Sequence, residues 1–192
     1  MQRIREKLLV FQVSEGRDPR AYGELYNLYF ERIRRFIFFK VNVHEEVEDL
    51  TSQVFLKAWE YLIDLDQRRV QNFRAFIYQL TRNIVVDYYR RQGRAPEMVV
   101  FEDQAEENEI PDHRQEFFLT QMYKSDRAYI ADCLKKLKDE YKDAVVLRYL
   151  EDLGIAEIAD IMGKTQGNVR VLIHRGLKEL REVIGRSPSN SS

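Results

Sequence analysis

The stretch from Gln166 to Arg181 predicts a helix with amide and cationic side chains along one face. Between Lys164 and Arg181 there are five Lys or Arg residues against one acid, a net charge of +4. Amides and guanidinium groups bond to base edges and cations contact phosphates, so such a face fits the major groove of duplex DNA. The residues on this face are Gln166, Asn168, Arg170, His174, Arg175, Lys178 and Arg181.

This helix is the second half of a predicted helix-turn-helix. Apolar residues at helical spacing from Ile155 to Met162 predict the first helix, and small Ala159 allows a close approach. Gly163 stands where the chain must take a positive φ, and Thr165 is placed to cap the second helix. The predicted buried stripe of the second helix is Val169, Leu172, Ile173, Leu177 and Leu180. A helical hairpin with a solvated basic face is the plainer interpretation.

A second basic stretch, from Arg68 to Arg94, has seven arginines and one acid, a net charge of +6. Interleaved with the arginines are five aromatic residues, Phe73, Phe76, Tyr78, Tyr88 and Tyr89. Cations for phosphates and rings for unstacked bases suit single-stranded nucleic acid, where each stacked base contributes ~1–3 kcal/mol. The alternative is that these rings are core, and we expect that of at least two of them.

The segment from His44 to Leu62 has the opposite charge, with five acids against one lysine and a net charge of −4. Its predicted inward stripe is Val47, Leu50, Val54, Ala58 and Leu62. Phe55 and Trp59 extend the apolar surface beyond this stripe. They are either buried or, together with the acids, part of a surface that binds another protein, and the residues alone favour neither.

Long helical patterns dominate the chain and predict an all-α fold of two small helical domains joined by a flexible acidic linker. The predicted divisions are residues 1–94, 95–124, 125–186 and a disordered tail at 187–192. Residues 99–112 contain six acids and no Lys or Arg, which is typical of an extended or weakly ordered segment. In the first domain we expect a short amphipathic helix within residues 1–18, then helices at 22–41, 44–62 and 73–91.

The composition excludes several classes of function. The net charge of −1 means that any nucleic-acid binding comes from local patches. The single cysteine, Cys133, excludes an internal disulfide and a cysteine-built zinc site, and its spacing predicts a buried side chain. No signal peptide and no run of ~20 apolar residues is present, so we expect a soluble cytoplasmic protein without membrane insertion. No phosphate-binding glycine loop, metal-spaced cluster or nucleophile elbow appears, so we expect no catalytic residue, metal or cofactor.

A single-strand platform and a duplex reader joined by an acidic linker resemble a bacterial sigma factor of the extracytoplasmic-function class (ECF, group 4) of the sigma-70 family. The resemblance covers roughly Arg20 to Val183, without most of the linker. Three motifs carry it: EDLTSQVFLKAW from Glu48, FRAFIYQLTRNIVVDYYRR from Phe73, and LRYLEDLGIAEIADIMGKTQGNVRVLIHRGLKELR from Leu147. It implies an alternative sigma factor that binds core RNA polymerase, directs promoter-specific initiation and is held by an anti-sigma factor.

The resemblance also implies roles by position. Docking on the β′ clamp helices of core polymerase would use Asp49, Ser52, Gln53, Phe55, Leu56 and Trp59, and the C-terminal domain would contact the β flap. Melting and reading the minus-10 element would use Arg68, Arg69, Asn72, Phe73, Phe76, Arg82, Asn83, Arg90 and Arg91. Reading the minus-35 element as a duplex would use Thr165, Gln166, Asn168, Arg170, Val171, His174 and Arg175. The linker would pass near the RNA exit path.

Three residues depart from the family pattern. Ser52 stands in place of a frequent glutamine, Phe76 in place of a tryptophan, and Asn168 in place of a threonine. An amide pairs bidentately with adenine, whereas a threonine does not, so the base preference at Asn168 differs from the family's. The alternative function is a free-standing helix-turn-helix regulator that binds duplex DNA without polymerase. The arginine–aromatic stretch argues against that alternative, since a sensing domain needs no single-strand platform.

Overall fold

The computed structural model describes residues 2–41, 43–64, 70–93 and 127–186. The chain divides into two compact units, Met1–Ala95 and Pro96–Ser192, which we call the first and second units. Within the described ranges every regular element is helical, which confirms the predicted all-α class. The predicted acidic linker and tail lie outside the described residues, and their functional boundaries stay a prediction.

Four helices form the first unit: α1 (Gln2–Gly16), α2 (Pro19–Phe38), α3 (His44–Ile63) and α4 (Phe73–Arg91). Two of them begin at side-chain caps. The Asp18 carboxylate accepts a hydrogen bond from the Arg20 amide at 2.8 Å, and Pro19 occupies the first helical position, where its missing N–H costs nothing. The Asn72 carbonyl oxygen accepts from the Ala75 amide at 3.1 Å. Helix α2 starts and ends three residues earlier than the sequence predicts. Helix α4 has its predicted bounds.

The core of the first unit is built from large aromatic and aliphatic side chains. The Phe36 and Tyr78 rings meet edge to face with centroids 5.5 Å apart, and both are fully buried. Thr51 and Thr81 are also fully buried, but each hydroxyl donates at 2.6 Å to the carbonyl four residues earlier in its own helix. These two polar groups therefore cost the core no unmade hydrogen bond.

Helix α1 is joined to α2 by polar contacts as well as by its buried residues. Arg5 Nη2 lies 2.6 Å from Glu24 Oε2, and the Tyr29 hydroxyl donates to the Glu6 carboxylate. Burial and this hydrogen bond raise the pKa of Tyr29 far above its ordinary value, so the hydroxyl keeps its proton. The prediction of a helix here is confirmed, but α1 is apolar on two opposite sides rather than amphipathic.

The second unit contains α5 (Arg127–Lys135), α6 (Asp139–Val145) with a π turn at Val146–Leu150, α7 (Ile155–Met162) and α8 (Gln166–Arg186). In the π turn the Glu151 amide reaches back five residues to the Val146 carbonyl at 3.1 Å. After it, Arg148 Nη1 donates to the Leu153 carbonyl at 2.9 Å and closes the connection to α7. Cys133 is 1% exposed, which confirms its predicted burial.

Helices α6 and α8 cross in direct contact at Gly176. A Cβ atom placed on Gly176 would lie 2.8 Å from Val145 Cγ2 and 3.2 Å from both the Cβ and the carbonyl oxygen of Tyr141. Such distances leave no room for a side chain. Ala159 is buried, as a close approach of α7 and α8 requires. The tighter constraint on helix packing lies at Gly176, which is not among the residues predicted to let helices approach.

Gly176→Ala should lower the stability of the second unit. Overpacking costs ~1–3 kcal/mol, and the higher helix propensity of alanine returns only about 1 kcal/mol, so we expect a net loss of about 1 kcal/mol in the free energy of unfolding. Urea denaturation of the full chain followed by circular dichroism measures this. Gly185→Ala is the matched control on the same helix, because nothing lies within 4 Å of its would-be Cβ. Equal or greater stability of the Gly176 variant would show that the crossing is not tight.

Candidate nucleic-acid interface

The helix-turn-helix forms as predicted, with α7 and α8 joined by a three-residue turn. Gly163 has φ 64° and ψ 38°, the left-handed conformation that terminates α7 at little cost for a glycine. Thr165 Oγ1 accepts from the Asn168 amide at 3.2 Å, which confirms the predicted cap of α8. The predicted stripe from Val169 to Leu180 is buried throughout.

All seven predicted minus-35 contacts lie at the surface of the second unit, at the start of α8 and along its outer side. Thr165, Gln166 and Arg175 are exposed. The remaining four, Asn168, Arg170, Val171 and His174, are partly exposed. Because α8 is one continuous helix packed along its whole buried stripe, these side chains project from a rigid support.

The turn of the helix-turn-helix is anchored by a buried ion pair. Lys164 Nζ lies 2.9 Å from Glu140 Oε1, and their side chains are 13% and 8% exposed. Lys164 is one of the five cations between Lys164 and Arg181. Its charge is directed inward to α6 rather than toward a ligand. The outer surface therefore owes its charge to Arg170, Arg175, Lys178 and Arg181. The pairing of residues 24 positions apart left no local signal in the sequence.

In the first unit the aromatic residues separate into core and surface. Phe73 is 1% exposed and Tyr78 is fully buried, which confirms the expectation that at least two of these rings are core. Phe76 is partly exposed, and its ring packs on Tyr61 with centroids 4.7 Å apart. Phe73 lies beneath, 6.0 Å from Phe76. A direct base contact predicted for Phe73 therefore conflicts with its burial. The partly exposed ring pair is Phe76 with Tyr61, and Tyr61 is not among the residues predicted from the sequence.

The polar residues predicted at the minus-10 site are distributed along α4, from its N-cap to its last turn. Asn72 is exposed, but its carbonyl oxygen is committed to capping α4, which leaves its NH2 group for a ligand. Arg90 lies 3.6 Å from Asp87 and keeps 70% of its side chain exposed. The other described members of the set are Arg82, which is partly exposed, and Asn83 and Arg91, which are exposed. Arg68 and Arg69 lie outside the described residues.

Helix α3 presents a separate outward face. Asp49, Ser52, Gln53 and Leu56 are spaced by three, one and three residues and are all exposed. Leu56 is 59% exposed and is the large apolar side chain on this face. The Ser52 hydroxyl donates to the Glu48 carbonyl at 3.0 Å and so is occupied within its own helix. This face is the part of α3 that is available to a partner.

Phe55 and Trp59, whose roles the residues had left open, belong largely to the inner side of α3. Phe55 is 3% exposed and its ring lies 4.6 Å from that of Tyr26, so its predicted contact with polymerase conflicts with its burial. Trp59 is partly exposed and meets the Tyr22 ring edge to face at 5.0 Å. Burial raises the pKa of Tyr22, whose hydroxyl donates to the Phe55 carbonyl.

The described residues bring together no group of three or more His, Cys, Asp and Glu side chains that could hold a metal ion. None of the described helices is both long enough and apolar enough to cross a membrane. The described surface presents hydrogen-bond donors, cations and a pair of aromatic rings. These groups recognise bases and phosphates, and they lie in both units.

Family models match both units. A model of sigma-70 region 2 matches residues 25–95, and a model of sigma-70 region 4 matches residues 127–180. The chain is 26% identical to the ECF RNA polymerase sigma factor SigW of Bacillus subtilis over 185 residues, covering 92% of this chain and 95% of SigW. It is 27% identical to the ECF sigma factor BldN of Streptomyces coelicolor over 171 residues, covering 89% of this chain and 63% of BldN.

Two solved structures share the fold. One is CnrH in complex with the cytosolic domain of CnrY, with a TM-score of 0.64 and 22% identity over 95% of this chain and 99% of that chain. The other is the sigma factor RpoE in complex with the anti-sigma factor NepR from Bartonella quintana, with a TM-score of 0.63 and 17% identity over 88% of this chain and 99% of that chain. At these identities the likeness is one of fold.

Lys164→Met should destabilise the second unit by about 3 kcal/mol, because it leaves the Glu140 carboxylate buried without its cation. The double variant Glu140→Gln with Lys164→Met should recover part of that loss, since it removes the unpaired charge. Circular dichroism during urea denaturation reports both units, whereas fluorescence of Trp59, the single tryptophan, reports the first. A loss seen by both probes alike would contradict the assignment of this ion pair to the second unit alone.

Proposed function

The chain belongs to the sigma-70 family of bacterial RNA polymerase sigma factors, in its ECF class, and from this premise we propose that it directs core polymerase to promoters by reading minus-35 and minus-10 elements. One observation carries the proposal: one chain has an amide-and-cation helix face in one unit and, in the other, a partly exposed aromatic pair at the arginine-bearing helix α4. The first suits duplex DNA and the second suits unstacked bases. The protein contributes binding energy and no catalytic chemistry of its own.

The minus-35 element is read by α8 in the major groove. Gln166, Asn168 and Arg170 stand near its N-terminal end, where a recognition helix contacts base edges. Their amides and guanidinium specify bases, whereas Arg175 and Lys178 further along position the helix on phosphates. The cap at Thr165 and the Lys164–Glu140 pair fix the direction from which α8 enters the groove.

The minus-10 element is opened by trapping bases after they leave the duplex. An unstacked base costs a few kcal/mol, and a ring face that accepts it offsets part of that cost. Phe76 supported by Tyr61 provides the ring face, and the NH2 groups of Asn72 and Asn83 provide selectivity. Arg82, Arg90 and Arg91 on the same helix contact the strand phosphates, with Arg68 and Arg69 completing the set.

The outward face of α3 docks on the β′ clamp helices of core polymerase, and the second unit contacts the β flap. Leu56 supplies exposed apolar area, and Asp49 with Gln53 supplies a charge and an amide beside it. Ser52 has a shorter side chain than the family's glutamine and is hydrogen-bonded within its helix. We propose that Leu56 and Gln53 therefore contribute most of the binding energy of this contact.

An anti-sigma factor holds the free protein until it is needed. The support for this part of the proposal is that RpoE, which shares the fold, is solved in complex with the anti-sigma factor NepR. The working place of the protein is the bacterial cytoplasm, where polymerase and promoters lie.

The direct test is to pull down core polymerase with the purified chain and to follow this with run-off transcription from a genomic promoter pool. Promoter-dependent transcripts that share two upstream elements are the expected outcome. Tight, dimeric binding of a promoter duplex without polymerase would support the free-standing regulator and contradict the proposal.

Variants of α8 test the minus-35 contacts. Arg175→Ala should weaken promoter binding for all sequences, and Asn168→Ala should relax discrimination at one base, each by about 1–3 kcal/mol. Transcription from promoters with single substitutions in the minus-35 element separates these effects. Asp132→Ala, at an exposed position on α5, is the control that should leave promoter use unchanged. Unaltered promoter use in both α8 variants would refute the assignment of α8.

Variants of α3 test the docking face. Leu56→Ala should weaken binding to core polymerase by roughly 1–1.5 kcal/mol, because it removes about three carbons worth ~0.8 kcal/mol each from a side chain that is 59% exposed before binding. Ser52→Gln should strengthen binding by restoring the longer amide. Fluorescence anisotropy of the labelled chain titrated with core polymerase measures both, with Gln79→Ala on the exposed side of α4 as the control. If Leu56→Ala bound as tightly as the parent chain, the docking face would have to be sought elsewhere.

A further inference from the structure

Helix α1 exposes a row of large apolar side chains, which we call the α1 stripe. Ile4 is 75% exposed, and Leu8 and Phe11 are each 55% exposed. Steps of four and three residues place them on one side of the helix. Large apolar side chains scattered singly on a surface are ordinary, but three in a row on one helix indicate a binding surface.

The α1 stripe is not a core face that has failed to pack. The opposite side of α1 already contributes Leu9, Val10 and Val13 to the core, and each of these is at most 7% exposed. The contacts of Arg5 with Glu24 and of Glu6 with Tyr29 fix the rotation of the helix about its axis. The helix therefore cannot roll to cover the stripe without giving up both contacts and the buried side.

The charges beside the α1 stripe determine what kind of partner fits. By helical geometry Lys7 lies along one edge of the stripe and Arg5 along the other, at about 100° per residue. Arg5 is 67% exposed although it is paired with Glu24. A second copy laid antiparallel on the stripe would face Lys7 with Lys7 along that edge, as like-charged edge positions do in a coiled coil, whereas the Arg5 charge is paired with Glu24. An anionic lipid surface is disfavoured by Glu15, which continues the stripe at four residues from Phe11.

We propose that the α1 stripe receives an amphipathic helix of a partner protein, with apolar residues at spacings of three and four flanked by Asp or Glu. Apolar side chains then pack between Ile4, Leu8 and Phe11, and the acids face Arg5 and Lys7. The α1 stripe shares no residue with α8, with the Phe76–Tyr61 pair or with the outward face of α3. It therefore stands independently of how the chain meets polymerase or promoter DNA.

Two synthetic helical peptides test the proposal on the full chain. Both carry leucines at heptad spacing, and they differ only in having Glu or Lys on the flanks. The Glu peptide should bind at least about tenfold more tightly by fluorescence anisotropy, which is about 1.4 kcal/mol. Added salt should narrow this preference, because exposed charges are screened. Equal affinity for the two peptides, or no binding of either, overturns the proposal.

Variants locate the binding on the α1 stripe. Leu8→Lys should weaken the Glu peptide about tenfold or more, about 1.4 kcal/mol. Lys7→Glu should reduce or reverse the preference for the Glu peptide, whereas the control Gln12→Ala, exposed but outside the stripe, should not. Sedimentation and anionic phosphatidylglycerol vesicles test the other occupants. A dimer, or vesicle binding, that Leu8→Lys abolishes would overturn the proposal in favour of a second copy or of lipid.

Discussion

The contact of α6 with α8 at Gly176 is the constraint on which the second unit depends. Two helices approach so closely there that a single added carbon would lie 2.8 Å from Val145 Cγ2. Close packing of this kind resists displacement, since interiors pack like crystals rather than liquids. The ion pair of Lys164 with Glu140 then ties the turn to the same α6. Together they hold the outer side chains of α8 in a fixed array, which is what reading a sequence of bases requires.

The first unit shows how one helix serves a core and a partner at once. Neighbouring residues of α3 have opposite fates, because Phe55 is 3% exposed and Leu56 is 59% exposed. Helix α4 divides its aromatic residues in the same way, with Phe73 beneath and Phe76 above. In α4 the buried Phe73 ring lies 6.0 Å from the partly exposed Phe76 ring and supports it from beneath. Substitution of the buried ring would therefore disturb binding, although this ring itself touches no ligand.

Features written in short stretches of sequence could be predicted. Gly163, the Thr165 cap, the buried stripe of α8 and both ends of α4 follow from local rules of capping and periodicity. Features that depend on a residue distant in sequence could not be predicted. The burial of Phe55 and Phe73, the Glu140–Lys164 pair and the contact at Gly176 are decided by which helices pack together, and no residue nearby in sequence records that. The sequence pattern predicts an amphipathic α1, but a pattern for one apolar stripe does not include the second apolar side, which lies opposite the first.

The π turn at Val146–Leu150 has a consequence for how the second unit tolerates change in length. A turn with five-residue hydrogen bonds contains one residue more than an α-helical turn, which rotates the start of the connection at Glu151 by about 100° about the axis of α6. Loss of one residue here would restore a regular helix and turn Arg148 away from the Leu153 carbonyl. Because α8 packs on Tyr141 and Val145, which precede the turn, the change would fall on this connection and on α7 rather than on α8. Gains and losses of single residues near position 148 would thus alter how α7 supports the turn of the helix-turn-helix, while every residue proposed to contact bases stays in place.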